Sequence, residues 1–181
     1  MKMELKTERL QLKELELTDL DNIHELHSLP EVDRFNTLGI PDSIETTKQL
    51  VSEWLTSRHQ SPRKKYVLWM ENEAHEFIGL VGITIGKPAY RNAEIWYKIH
   101  PKHWNQGYAT EVVTEVLAFC FSTLNLHRVE AGCAVENLAS IRVLEKVGMT
   151  KEGYRRKILP IRGEWVDNFE FAILETDFVK R

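Results

Sequence analysis

Glu94 stands where a carboxylate could move a proton. It lies in Asn92–Ile99 (NAEIWYKI), a run rich in aromatic and β-branched residues that reads as a strand. Alternation sends Ile95 to the opposite face, and Trp96 can shield the carboxylate from water and raise its pKa. The other reading is an exposed strand carboxylate paired with Lys98. Directly after this strand comes Pro101–Ala109 (PKHWNQGYA), a polar loop leading into the helical run Thr110–Leu124. Such an order points the unpaired N–H groups of a helix's first turn at whatever lies in front of it. That end carries roughly half a positive charge and suits a phosphate. Gly107 allows close backbone approach or positive φ, although a glycine here can equally be a turn or packing device. The loop is neither a Walker sequence nor the GxGxxG of a dinucleotide fold. Asn137-Leu138-Ala139-Ser140 is a further polar group, with Asn137 placed to cap a helix.

Regular elements must hold these residues in place. From Ala109 onward, Val112, Val113, Val116, Leu117, Cys120, Phe121 and Leu124 recur at the spacing of a helix with one buried face. Thr7–Leu15 alternates as a half-buried strand. A helix with Thr18 as N-cap follows, carries Leu20, Ile23 and Leu26, and ends at Pro30. Glu31–Pro41 reads as a loop, and Asp42 or Ser43 caps a second helix running to about Ser57. Lys65–Met70 and Phe77–Ile85 form a hairpin, in which Gly79 and Gly82 mark a bulge or a close neighbour. His127–Ala134 is a strand, a helix from Asn137 stops at Gly148, and Met149–Leu174 is a final hairpin. Repeats, low-complexity stretches and dividing linkers are absent from the sequence, so residues 1–181 are expected to form one domain. The fold class is α+β (mixed α/β): a mostly antiparallel sheet of about six to seven strands with flanking helices. One strand-helix-strand unit should be parallel and right-handed.

Trp104-Asn105-Gln106-Gly107-Tyr108-Ala109 resembles the acyl-CoA pyrophosphate loop of the GNAT N-acetyltransferase superfamily, usually Gln/Arg-x-x-Gly-x-Gly/Ala. Trp104, the Tyr-Ala-Thr-Glu that opens the helix, and the early ERL…TDLD resemble the RimJ/RimL branch. That branch commonly has glycines where this chain has Asn105 and Trp96. Glu145-Lys146-Val147-Gly148-Met149 matches the family's Glu-Lys-x-Gly-Phe ending with Met for Phe, and the element order is similar over nearly the whole chain.

The resemblance implies direct acetyl transfer from acetyl-CoA to a primary amine. Such an amine, with a pKa near roughly 10.4, must first lose a proton. The oxyanion needs a preplaced donor, and the departing thiolate benefits from a proton. The family pattern implies that the amides of Asn105–Ala109 hold the pyrophosphate. It further implies that the backbone of Ile99 and His100 holds the pantetheine and faces the oxyanion, that Asn137 touches the pantetheine arm, and that Glu94 takes the amine proton through water. Ser140 can donate to the leaving sulfur. The tyrosine that many relatives use as general acid is replaced here by Leu144, which leaves that role to Ser140, Tyr108 or water. The implied acceptor is a protein N-terminus, a ribosomal protein's included; a polyamine or amine antibiotic, or a non-catalytic acyl-CoA-binding module, are the alternatives.

Composition bounds the remaining functions. Net charge is −3 and no basic stripe is present, which argues against nucleic acid. No apolar run approaches the roughly 18 residues of a membrane span. The charged start lacks a secretory h-region, so a cytoplasmic location is expected. The 2 cysteines, Cys120 and Cys133, read as buried thiols. His24 and His27 read as surface histidines, and no metal-ligand spacing is present. An edge left by the last hairpin could pair with a second copy and make a homodimer.

Overall fold

The computed structural model describes residues 3–179; Met1 and Lys2 of the charged start, with Lys180 and Arg181, lie outside it. Its strands are β1 (Glu4–Lys6), β2 (Leu10–Glu14), β3 (Lys65–Asn72), β4 (Phe77–Ile85), β5 (Asn92–Ile99), β6 (Arg128–Ala134), β7 (Thr150–Ile161) and β8 (Glu164–Leu174). They form one 8-stranded sheet in the order β1-β2-β3-β4-β5-β6-β8-β7. Among the described residues only β5 and β6 pair in parallel. The sheet therefore exceeds the expected six to seven strands. The addition is β1, which hydrogen-bonds along β2 from Glu4↔Lys13 to Lys6↔Gln11. Three residues of modest apolarity carry no periodic signal, and pairing with a neighbour is what makes them a strand.

Helices α1 (Leu20–Ser28), α2 (Pro30–Asp33) and α3 (Ile44–Ser57) cover one face, while α4 (Tyr108–Ser122) and α5 (Leu138–Lys146) cover the other. Each face has its own core. On the α4 side, Val112, Val113, Val116, Leu117 and Cys120 are sealed against Ile95, Val129 and Phe171. Burying each valine or leucine contributes about 1.5–3 kcal/mol before entropy is charged against it, so this stripe fixes the helix on the sheet. On the other face Leu15, Ile23, Leu26, Val51, Trp54 and Leu80 form the second core.

Several local expectations change. Thr18 is not the cap of α1, because Leu17–Asp19 forms a 3-10 turn first. Asp19 Oδ2 accepts the Glu16 amide at 2.7 Å, one half of a capping box that starts this turn at Glu16. Pro30 does end α1, but it also opens α2 as its first residue, a position where a missing N–H costs nothing. Ser43, one of the expected caps of α3, accepts the Thr46 amide at 3.4 Å. His27 is not on the surface: it is 3% exposed, edge-on to Trp54 at 6.1 Å. Lys98 is not the partner of Glu94, because its stem and amine turn into the protein. Gly82 does mark a close neighbour. A Cβ there would fall 2.2 Å from the Trp96 indole, which lies across it and reaches Trp54 at 5.9 Å.

Candidate active site

The sheet opens between its parallel strands. Pairing of β5 with β6 runs from Asn92↔Arg128 through Glu94↔Glu130 and stops there, although β5 continues to Ile99 and β6 to Ala134. Successive residues of a strand aim their peptide groups at opposite neighbours. The His100 amide donates to the Ile78 oxygen of β4 at 2.8 Å. Trp96 and Lys98 therefore also serve β4, and the peptide groups of Tyr97 and Ile99 face the opening. This corrects half of one expectation: Ile99 borders the opening, but the His100 amide is committed to β4. The His100 ring instead caps the next turn, its Nδ1 accepting the Lys102 amide at 3.3 Å.

Beyond β5 a 3-10 turn, Pro101–His103, leads into the loop ahead of α4. Trp104 Nε1 donates to the Ile99 oxygen at 2.7 Å and ties the loop to the strand end. Asn105 has φ 60° and Gly107 φ 81°. Asparagine is among the few side chains that tolerate the left-handed region, so Asn105 does here what a glycine would do. Left-handed residues alternating with ordinary ones turn successive amides toward one concavity, a geometry that receives anions. Among the described residues no backbone oxygen accepts from Asn105, Gln106 or Gly107. The amides of Tyr108, Ala109 and Thr110 open α4 and have no intrahelical partner.

Arg9 holds this loop from outside. Its Nη1 donates to the Gln106 oxygen at 3.0 Å, and its guanidinium lies 4.6 Å from the Tyr108 ring centre. Glu111, in the first turn of α4, receives Arg9 Nε at 2.8 Å and the Arg9 amide at 2.8 Å. In the sequence the ERL stretch is legible only as a family likeness. The charge of Arg9 and the Glu111 of the helix opening carried no hint that they would meet.

Glu94 is exposed, at the last paired position before the strands part, on the face opposite α4. Partial burial raises its pKa, and the carboxylates of Glu130 and Glu170 raise it further. Glu130 is across the parallel pair from Glu94, and Glu170 lies opposite Gly132 farther along β6. Arg128 and Arg155 pair with these two neighbours at 2.7 and 2.6 Å, whereas no cation is paired with Glu94 among the described residues. On the same side of β5, burial pulls Lys98 down to about 8, opposed by Asp33. His27 is pulled down to about 3 by burial and then by Lys98 and His24. The Lys98 amine, His27 Nε2 and Asp33 Oδ1 are all buried without a hydrogen-bond partner in the structure.

Across the opening, Asn137 caps α5: its Oδ1 accepts the Ser140 amide at 3.2 Å. Ser140 Oγ lies 2.8 Å from the Tyr97 hydroxyl. Leu144 is 1% exposed and belongs to the core, so its position offers no polar group to the opening. Both cysteines are buried and free, and burial pushes Cys120 up to about 12. The structure thus gathers Glu94, Ile99, the 105–109 loop, Asn137 and Ser140 around one split in the sheet, with the His100 amide turned away. No helix of the described residues is long and apolar enough to cross a membrane.

Comparison with known proteins gives the family. Residues 9–150 match the family model described as an acetyltransferase (GNAT) domain. The chain is 30% identical over 181 residues to the uncharacterized N-acetyltransferase YnaD of Bacillus subtilis, covering 97% of this chain and 99% of that one. The structure of a Vibrio cholerae spermidine N-acetyltransferase in complex with CoA and spermine superposes with a TM-score of 0.83 at 26% identity, over 93% of this chain and 96% of that one. A Mycobacterium smegmatis RimJ in complex with CoA-disulfide gives a TM-score of 0.84 over 96% of this chain and 86% of that one. Its identity is 22%, so that likeness is one of fold.

Proposed function

The chain belongs to the GNAT acetyltransferase family and is an acetyl-CoA-dependent N-acetyltransferase; from that premise we propose that its acceptor is a small cationic amine of the polyamine type. The observation that carries the choice is Glu94 standing beside Glu130 and Glu170 on an open sheet face. Glu130 and Glu170 are already paired with Arg128 and Arg155, whereas Glu94 has no cation partner among the described residues and can attract an ammonium. The relative crystallised with spermine supports this reading. A protein N-terminus, the acceptor implied by likeness to the RimJ/RimL branch, is the competing arm of the test.

In this reading the diphosphate of acetyl-CoA lies on the amides of Asn105–Ala109, at the positive end of α4. The pantetheine occupies the opening between β5 and β6 as an added strand would, against the peptide groups of Tyr97 and Ile99, and passes Asn137. Trp104 and Gln106 hold the loop's shape, and Tyr108 packs between it and Arg9. The Ile99 amide, which replaces that of His100 in this role, faces the acetyl oxygen. Glu94 takes a proton from the ammonium through water. The freed nitrogen attacks the thioester carbon, the C–S bond breaks, and the thiolate departs with a hydrogen bond from Ser140. The nitrogen's second proton leaves to solvent water to give the neutral amide.

The test is thiol release from acetyl-CoA in the presence of spermidine, spermine, monoamines and peptides with free N-termini. Polyamines turning over with the highest kcat/KM support the proposal. Preference for the peptides overturns the acceptor while leaving the acetyl transfer in place.

A further inference from the structure

Tyr97 is on β5 and Ser140 in the first turn of α5, so their hydroxyls meet across the split from its two sides. The Tyr97 ring is packed against the α4-side core, and its hydroxyl oxygen lies 2.8 Å from Ser140 Oγ. Phenol is the stronger acid of the two, so it is the natural donor, and the serine accepts. Burial raises the phenol's pKa above its ordinary value, with the Ser140 hydrogen bond opposing, and so favours the protonated phenol. A serine that accepts from Tyr97 has its own proton left to give.

We propose that Tyr97 is a positioning residue for the leaving thiolate: its hydroxyl orients Ser140 so that Ser140 donates to the CoA sulfur as the C–S bond breaks. This rests on the acetyl transfer reading above and adds the partner that a lone serine lacks. Leu144, farther along α5, is buried in the core and carries no polar group. No proton needs to cross fully in this step. The thiolate leaves hydrogen-bonded to Ser140 and is protonated by solvent, while the ammonium proton goes to Glu94.

The experiment is a double-mutant cycle on kcat with Tyr97→Phe, Ser140→Ala and the pair. Tyr97→Phe is expected to lower kcat about tenfold and leave KM for acetyl-CoA within about twofold, since a hydrogen bond to developing charge is stronger than a neutral one. The pair should be no slower than Ser140→Ala alone, because Tyr97 acts through Ser140. Losses that multiply, an unchanged kcat in Tyr97→Phe, or a change confined to KM each overturn the proposal. A second measurement does not depend on Tyr97→Phe folding. In Ser140→Ala the loss should shrink with acetyl thioesters of more acidic thiols, and an equal loss for every thiol contradicts a role at the sulfur. Absence of thiol release by the unmodified enzyme overturns the acetyl transfer reading instead.

Discussion

Arg9 and Glu111, 102 residues apart, meet with Arg9 Nε 2.8 Å from Glu111 Oε2. The pair joins the chain's first strands to the opening turn of α4, and the Arg9–Gln106 contact extends it to the loop. Burial pushes the Glu111 carboxyl up, but hydrogen bonds from Thr7 and Arg9 outweigh it and hold the group below its ordinary value. Glu111 is thus ionised near the helix end where a diphosphate is proposed to lie, and Arg9 offsets that charge. Removing Arg9 costs both the loop's tether and this compensation. Arg9→Ala is expected to weaken acetyl-CoA binding about tenfold in a calorimetric titration, with a discount because Arg9 is half exposed. Unchanged affinity contradicts the tether.

Gly107 sits at φ 81°, a conformation that strains a β-branched residue by about 1–3 kcal/mol. Gly107→Val should relax that strain by reshaping the loop and weaken acetyl-CoA binding by at least about tenfold. Thermal unfolding should shift little, because the loop is outside both cores. Equal affinity for acetyl-CoA contradicts the loop's assignment.

Glu94→Gln keeps the shape of the side chain and removes the proton acceptor. A positioned general base contributes about 10²–10⁴-fold, so kcat should fall at least about 100-fold while acetyl-CoA affinity stays the same. Because its pKa is raised, the acidic limb of kcat/KM should lie above the ordinary carboxylate range. Glu170→Gln removes a neighbouring negative charge and should move that limb to lower pH. A pH profile recorded for each variant decides both points.

His27 gives the fold itself a pH dependence. Its pKa is pulled down to about 3 by burial, while in the unfolded chain it titrates near 6.5. Between those values the unfolded state binds the extra proton, so stability falls as pH drops from about 6.5 toward 3, by up to about 1.4 kcal/mol per pH unit for a full proton. Denaturant unfolding at pH 7 and pH 5 should show the loss, and His27→Gln should flatten it. A slope that His27→Gln leaves intact assigns the effect to other groups.

What could be read from the chain follows the physics of each part. The α4 stripe was legible because burial of one helix face imposes its spacing, and Val112, Val116 and Leu117 are indeed sealed. Ser43, Gly82 and Gly148 were legible because a cap, a close approach and a helix stop are local demands. The opening of the sheet beyond Glu94 was not, since both strands look equally regular in sequence whether or not they pair. Arg9–Glu111 and Tyr97–Ser140 were hidden for a related reason: each joins residues that only the tertiary fold brings together. His27 misled because a histidine's spacing on a helix does not say which face Trp54 will cover. The His100 amide misled because which side a strand residue serves depends on a register that sequence does not print.

The most direct test of the account is a crystal structure of the protein with CoA. The diphosphate should lie within hydrogen-bond distance of the 105–109 amides, with the pantetheine running between β5 and β6 and its sulfur beside Ser140. CoA held elsewhere, or an opening that stays empty at saturating CoA, contradicts it.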